Sequence, residues 1–407
     1  MRLGNQALPL QGIRVLDLSL FIQGPIAAML LADWGAEVIK IEKPGRGDFA
    51  RTTKVLFGRS QLLPDGRNVM FETANRNKLA VTIDLKKREG RDVFYRLAAQ
   101  AQVMTTNLHP SALEEFGVDR STMESIAPHL IYAHSTGFGA LGPNALDPCQ
   151  DTAGMARSGY MMNSPAPDGS PVYPTGALSD VLSGTMTAFG VAMALLAKAR
   201  TGEVTGVSCS QLSTMMWLQG YAISQFANTG SAFIPHDRQA APNPLMNMYR
   251  CLDGKWLACG MFMSERFDWG EFCVLMELTD DSRQDVRFST DEGRAANNQD
   301  LIRLLDTAFA SHPREYWVAE FRRRGYWFSI INDIGDLVRD PQVSANGYMT
   351  SAPSGFQTVA SPFGLTKVKQ PQPVDAPEIG RDTDDVLSRI AGLDKNQIGA
   401  LRAAAVV

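Results

Sequence analysis

The sequence predicts an α/β protein: a large doubly wound domain around a parallel sheet, joined to a smaller α+β domain. Three observations lead there. Short apolar, strand-like runs alternate with helical patterns over the first half of the chain. Near residue 220 that alternation gives way to a hairpin signal and a set of helical patterns. The length of 407 residues also exceeds what one domain usually holds, ~100–200 residues.

The N-terminal segment sets the pattern. Arg14–Leu18 (RVLDL) is rich in strand formers, and residues 24–34 (GPIAAMLLADW) have helical length with Pro25 in the first turn. Gly35 then stops the helix. Residues 37–41 (EVIKI) return to strand. Strand, helix and strand make a βαβ unit, which implies a parallel sheet. The turn after the first strand, SLFIQGP, lacks the G-x-G-x-x-G dinucleotide fingerprint. The alternation continues with strands expected at 81–85, 103–107, 130–135 and 206–210, and helices at 88–100, 180–199 and 211–225. Asp253-Gly254 is the strongest short hairpin signal. Helices are expected at 265–278, 298–310 and 314–324, and a last helical pair at 382–390 and 395–405. The domain plan is therefore 1–220, a small domain at 226–325, and a tail at 330–407.

Composition narrows the function classes. Hydrophobic residues make up 44% and charged residues 20%, as in soluble globular proteins. The net charge of −4 comes without a basic patch, which argues against nucleic acid as a partner. Cys149, Cys209, Cys251, Cys259 and Cys273 form no C-x-x-C pair and no disulfide framework. They read as reduced thiols, so a cytoplasmic location is expected. The start, MRLGNQALPL, lacks the signature of a signal peptide. The apolar segment 181–199 is interrupted by Ser183, Gly184, Thr185, Thr187, Gly190 and Lys198. It is expected to be a buried helix and not a membrane span. The five histidines show no H-E-x-x-H pattern, so no metal site is expected. G-V-S-C-S lacks the second glycine of a serine-hydrolase elbow, and no P-loop is present.

Two segments could carry chemistry. Asp180 stands at the head of the long apolar helix. One reading makes it an N-cap, since Asp favours that position. The other makes it a carboxylate nucleophile, helped by the positive end of the helix. From pattern alone the cap is the stronger reading, because acidic caps are common and nucleophilic acids rare. Gln150 and Asp151 stand together after the glycine-rich turn STGFGALGP, where a loop entering a helix, with Asp151 as its cap, is the simpler reading.

From Leu10 to the end the chain resembles the class III CoA-transferases, the group containing formyl-CoA:oxalate and carnitine CoA-transferases. The resemblance rests on LQGIRVLDLS, GPIAAMLLADWGAEVIKIEKPGRGD, NRNKLAVTIDLKKREGRDVFYRLAAQAQV, EEFGV, LIYAHSTGFGALGP, ARSGYMM, GALSDVLSGTMTAFGVAMALLAKARTGEV, DPQVSANGYM and IGRDTDDVL, in the family's order and spacing. The small domain matches least. The resemblance implies a Rossmann-like large domain built from the N-terminal half and the tail, an inserted small domain, and two subunits threaded as interlocked rings. It implies transfer of CoA between an acyl-CoA ester and a free carboxylic acid, with CoA esters as substrates and no tightly bound cofactor.

Asp180 falls on the family's nucleophile, which reverses the preference for a cap. Lys43, Ile83, Lys86, Asn107 and His109 fall on CoA-contacting positions, and Gln23, Gln150 and Asp151 are assigned to the substrate pocket. The chain departs from the family at Glu115, often Arg, and at Leu20, commonly Arg or His. The family's glycine-rich covering loop is replaced by APNPLMN, which implies an acceptor other than oxalate. Related α-methylacyl-CoA racemases use a G-H-D motif that reads Cys149-Gln150-Asp151 here, and Gln has no titratable proton near neutral pH. That lowers the racemase alternative. A non-catalytic CoA-binding protein is the remaining one.

Overall fold

The computed structural model describes residues 8–166 and 168–407. Residues 1–7, on which the absence of a signal peptide was read, lie outside the described residues. The chain divides into two compact units. The larger contains the residues up to Phe233 together with Gly347–Val407, and the smaller is Ile234–Asn346.

The larger unit is built on six strands: β1 (Arg14–Leu18), β2 (Glu37–Glu42), β3 (Lys78–Thr82), β4 (Val103–Thr106), β5 (Ile131–Thr136) and β6 (Val207–Ser210). Their order in the sheet is β3-β2-β1-β4-β5-β6, and every neighbouring pair is parallel. The alternation of side chains splits each strand between two apolar layers. Leu16, Ile39, Val81 and Met104 face one layer, covered by Phe94 and Leu97 of the helix Arg88–Ala98 and by Val386, Leu387 and Ile398 from the tail. Val15, Val38, Val103 and Ile131 face the other. That layer is covered by α1 (Gln23–Asp33) and by a long helix that supplies Ala188, Val191 and Ala194. Two covered faces explain why the strands read as nearly continuous apolar runs. The order reverses between β1 and β4, and open α/β sheets bind ligands in the crevice beyond the strand ends at such a switch point.

The structure corrects three expectations. The strand expected at 81–85 is β3, Lys78–Thr82. It begins with a buried lysine, Lys78, which ion-pairs with Asp17 and which hydropathy alone would exclude. The helix expected at 211–225 is two, α4 (Gln211–Leu218) and Gly220–Thr229. The long helix, α3 (Leu178–Thr201), is the one helix among the described residues long and apolar enough to cross a membrane, yet only 33% of its most apolar window is buried. It buries one face and leaves Phe189, Met193 and Leu196 exposed. The expectation of a buried helix holds for one face only, because the side carrying Ser183, Gly184, Thr187, Ala188, Val191 and Ala194 packs inward while the larger apolar side chains lie on the other side.

The smaller unit has a three-stranded antiparallel sheet: β7 (Met248–Arg250), β8 (Trp256–Cys259) and β9 (Phe328–Ile331), in the order β9-β8-β7. The β7–β8 turn holds Asp253-Gly254, with Gly254 at φ +78°. Trp317, Phe309, Phe321 and Tyr249 form its aromatic core. β9 lies beyond residue 325, so this unit extends further along the chain than the 226–325 of the sequence plan.

Candidate active site

Two places in the larger unit gather most of the candidate residues. The first is the switch-point crevice at the ends of β1 and β4. Leu20 N–H donates to Asn107 Oδ1 at 2.9 Å, and Asn107 Nδ2 donates back to Leu20 O at 2.9 Å. The Asn107 amide is therefore used in holding the β1–α1 turn. Beside the turn lies a cavity of about 200 Å³, with Lys43, Arg46, Phe49, Ile83 and Lys86 in its wall. Three of the expected CoA contacts, Lys43, Ile83 and Lys86, thus meet.

Lys86 is paired with Glu115 at 2.7 Å, both side chains exposed. The acid at a position the family often fills with Arg thus offsets the nearest lysine. His109 does not reach the cavity wall. Its Nδ1 accepts from Ser111 N–H as a helix cap, and its Nε2 sits 3.0 Å from Leu146 O. Sequence reasoning missed Arg46, whose guanidinium lies 4.0 Å over the Phe49 ring. A signal existed: Arg46 stands between Gly45 and Gly47, both at positive φ, in the loop after β2.

The β1–α1 turn is held from below by buried charges. Lys78 pairs with Asp17 at 2.8 Å and donates to Pro25 O at 2.9 Å. Lys40 pairs with Asp48 at 2.8 Å and donates to Ser19 O at 3.0 Å. Asp48 Oδ1 accepts from Phe21 N–H, a residue at φ +61°. Burial pushes the Lys78 amine down to about 8. Burial also opposes the charge on Lys40, but Asp48 and Asp17 outweigh it and hold its pKa above the usual lysine value.

The second place is the head of α3. Ala177 precedes the helix in the left-handed region at φ +56°, and Asp180 lies in the first turn. The cap comes from elsewhere. Asp151, in the first turn of α2 (Asp151–Arg157), accepts through Oδ1 from Ser179 N–H at 2.7 Å and Asp180 N–H at 3.1 Å. With that role filled by Asp151, the Asp180 carboxylate is left over. Gln211, at the start of α4 and 2% exposed, donates its amide N–H to Asp180 Oδ1. Burial, and after it the charge of Asp151, push the Asp180 carboxyl up to about 7 against that donation. Among the described residues Asp151 Oδ2 is buried without a hydrogen-bond partner.

Gln23 is the link between the two places. From the start of α1 its Nε2 donates to Thr136 O at 3.1 Å and to Ser183 Oγ at 3.0 Å, one turn beyond Asp180. Gly184 allows this approach, since a Cβ there would lie 2.4 Å from Gln23 O. Gln150 is exposed and makes no capping bond. Among the described residues no group of three or more His, Cys, Asp or Glu is placed to hold a metal ion.

The profile of CoA-transferase family III matches residues 10–383. The chain belongs to CoA-transferase family III. It is an enzyme of that class, acting on CoA esters. It is 31% identical to an (R)-2-hydroxy-4-methylpentanoate CoA-transferase of Clostridioides difficile, over 98% of this chain and 99% of the relative. It is 29% identical to the succinyl-CoA:glutarate CoA-transferase of Mus musculus, over 98% and 90%. The crystal structure of a CAIB/BAIF family protein from Brucella suis superposes with a TM-score of 0.83 at 26% identity, covering 95% of this chain and all of that one.

Proposed function

We propose that this protein moves CoA from an acyl-CoA thioester to a free carboxylic acid, with Asp180 as the nucleophile. The supporting observation is that Asp151 caps α3, which leaves Asp180 a half-buried carboxylate with a reacting oxygen to spare. Asp180 Oδ2 attacks the thioester carbonyl, the C–S bond breaks, and CoA leaves as thiolate from a mixed anhydride. The thiolate attacks the aspartyl Cγ, and the donor acid departs with the bridging oxygen. The acceptor carboxylate then displaces CoA from the aspartyl thioester. The thiolate finally attacks the acceptor's acyl carbon, releasing acyl-CoA and regenerating Asp180. One difficult transfer becomes a series of easier ones.

The cavity beside Lys43, Arg46 and Lys86 would hold the CoA phosphates and adenine, with cations placed for charge-assisted contacts. A homodimer is part of the same proposal. Trp217 and Tyr221 are 77% and 79% exposed, and Phe189, Met193 and Leu196 of α3 are exposed as well, more apolar surface than a monomer usually leaves to water. The relatives named above act on a branched hydroxy acid and on dicarboxylates, so family membership leaves the acids open.

The test mixes an acyl-CoA with isotope-labelled carboxylates and follows label into the CoA ester. Wild type is expected to transfer, while Asp180→Ala binds CoA esters but transfers at least ~10³-fold more slowly. Wild-type turnover by that variant would overturn the assignment. Deuterium exchange into a 2-methylacyl-CoA without transfer would favour the racemase chemistry instead.

A further inference from the structure

We infer that Gln211 is a catalytic residue that stabilises the oxyanion formed on Asp180 itself, and that Cys149 is the positioning residue that aims it. The inference rests on Asp180 being the nucleophile. Three observations carry it.

First, Gln211 donates its amide N–H to Asp180 Oδ1, which leaves Oδ2 as the attacking atom. When Oδ2 carries the acyl group, Oδ1 becomes the aspartyl carbonyl oxygen. CoA thiolate then adds to Cγ, a C–S bond forms, and the carbonyl electron pair moves to Oδ1. Collapse returns that pair and expels the donor carboxylate with Oδ2. The same charge appears on Oδ1 when the acceptor carboxylate later displaces CoA. A donor already directed at Oδ1 meets the charge where it develops, which is the condition for transition-state stabilisation.

Second, the amide has a defined direction. Cys149 donates its S–H to Gln211 Oε1 at 2.8 Å, so Nε2 is the end facing Asp180. Burial, and after it the charge of Asp180, push the Cys149 thiol up to about 11. It stays protonated and keeps its donor. An ionised carboxylate accepts only, so both neighbours require the same amide orientation.

Third, the backbone is cut close around both side chains. A Cβ at Gly137 would lie 2.1 Å from Cys149 Cβ, and one at Gly154 would lie 2.8 Å from Gln211 Cβ. Gln211 itself is 2% exposed at the start of α4, whose cap, Ser210, accepts from Ser213 N–H at 3.0 Å. Main chain thus packs closely against Cys149 at Gly137 and against Gln211 at Gly154.

The test compares wild type, Asp180→Ala, Gln211→Leu, Cys149→Ala and Cys149→Ser by steady-state kinetics over pH, with thermal melts as the folding control. Gln211→Leu is expected to lower kcat by about 10²-fold, with the KM for acyl-CoA changed less than about twofold. The acid limb of its kcat/KM profile should move to higher pH, because the lost donor favoured the ionised carboxylate. A structural role would not move that limb. Cys149→Ala should lose about tenfold, and Cys149→Ser should recover most of it, since a hydroxyl donates as the thiol does. If Gln211→Leu melts as an unfolded chain, Gln211→Met and the Cys149 pair carry the same comparison. Transfer by Asp180→Ala overturns the nucleophile reading and this inference together. Loss in Asp180→Ala with an unchanged kcat and pH profile in Gln211→Leu overturns this inference alone.

Discussion

The larger unit contains two groups of buried or half-buried carboxylates, and they are treated in opposite ways. Beneath the β1–α1 turn, Asp17 and Asp48 each face a lysine at 2.8 Å. At the head of α3, Asp151 and Asp180 face each other, with amide and backbone donors but no cation in ion-pair distance among the described residues. The first arrangement satisfies charge and fixes shape. The second leaves one carboxyl raised to about 7 and another with a buried oxygen unpartnered. A carboxylate whose charge is fully compensated is a poor nucleophile, and one kept costly in the resting state gains by reacting. The contrast teaches that the ion network builds the platform, and it supports the proposal that Asp180, not its capping partner Asp151, is the nucleophile.

Breaking the platform should have the largest effect on stability. Lys78→Met leaves Asp17 buried without its 2.8 Å partner and removes a donor to Pro25 O. Removing one member of a buried pair strands the other charge, so a loss of about 3–5 kcal/mol is expected in chemical denaturation. A loss below about 1 kcal/mol would show that the network does not carry the turn.

The acid pair should respond with the opposite sign. Asp180 is protonated more readily in the folded protein, at about 7, than at its ordinary value of 3.8. Its contribution to stability is therefore present at low pH and is lost as pH rises through about 7. Asp180→Asn removes that cost. It should be more stable than wild type at pH 8 by about 1 kcal/mol or more, and so melt higher, with the gap closing toward pH 4. An Asn variant that melts lower at pH 8 would mean that Asp180 is a structural residue after all.

The smallest effect belongs to the exposed rim. Lys86 and Glu115 form a solvent-exposed pair, of a kind worth ~0–1 kcal/mol. Lys86→Glu should leave the melting temperature nearly unchanged while raising the apparent constant for CoA esters several-fold, since charge at a phosphate site acts on binding. An unchanged constant would remove Lys86 from the ligand contacts.

How much of this was legible in the sequence follows from the same physics. The first βαβ unit could be read because strand and helix there obey local rules: apolar runs, Pro25 at a helix start, Gly35 at its end. The start of β3 could not, because Lys78 is tolerated only through Asp17, sixty-one residues away in the chain. Asp180 could be located but not assigned from pattern, since whether it caps its helix depends on Asp151 reaching the same N–H groups. Gln211 gave no signal: a glutamine after Ser210 looks like any first helical residue, and its role exists only where α3, α4 and the Cys149 loop meet. Asn107 and His109 were expected to contact CoA, and the structure commits both side chains to bonds within the protein.

The central claim is that an oxygen of Asp180 is exchanged with substrate in every turnover. An acceptor acid labelled with oxygen-18 in both carboxylate oxygens tests it most directly. After single-turnover reaction with an unlabelled acyl-CoA and proteolysis, the peptide containing Asp180 should carry one oxygen-18 atom, left behind when CoA removes the acyl group from the mixed anhydride. Labelled acyl-CoA product formed with an unlabelled Asp180 peptide would contradict covalent catalysis by Asp180.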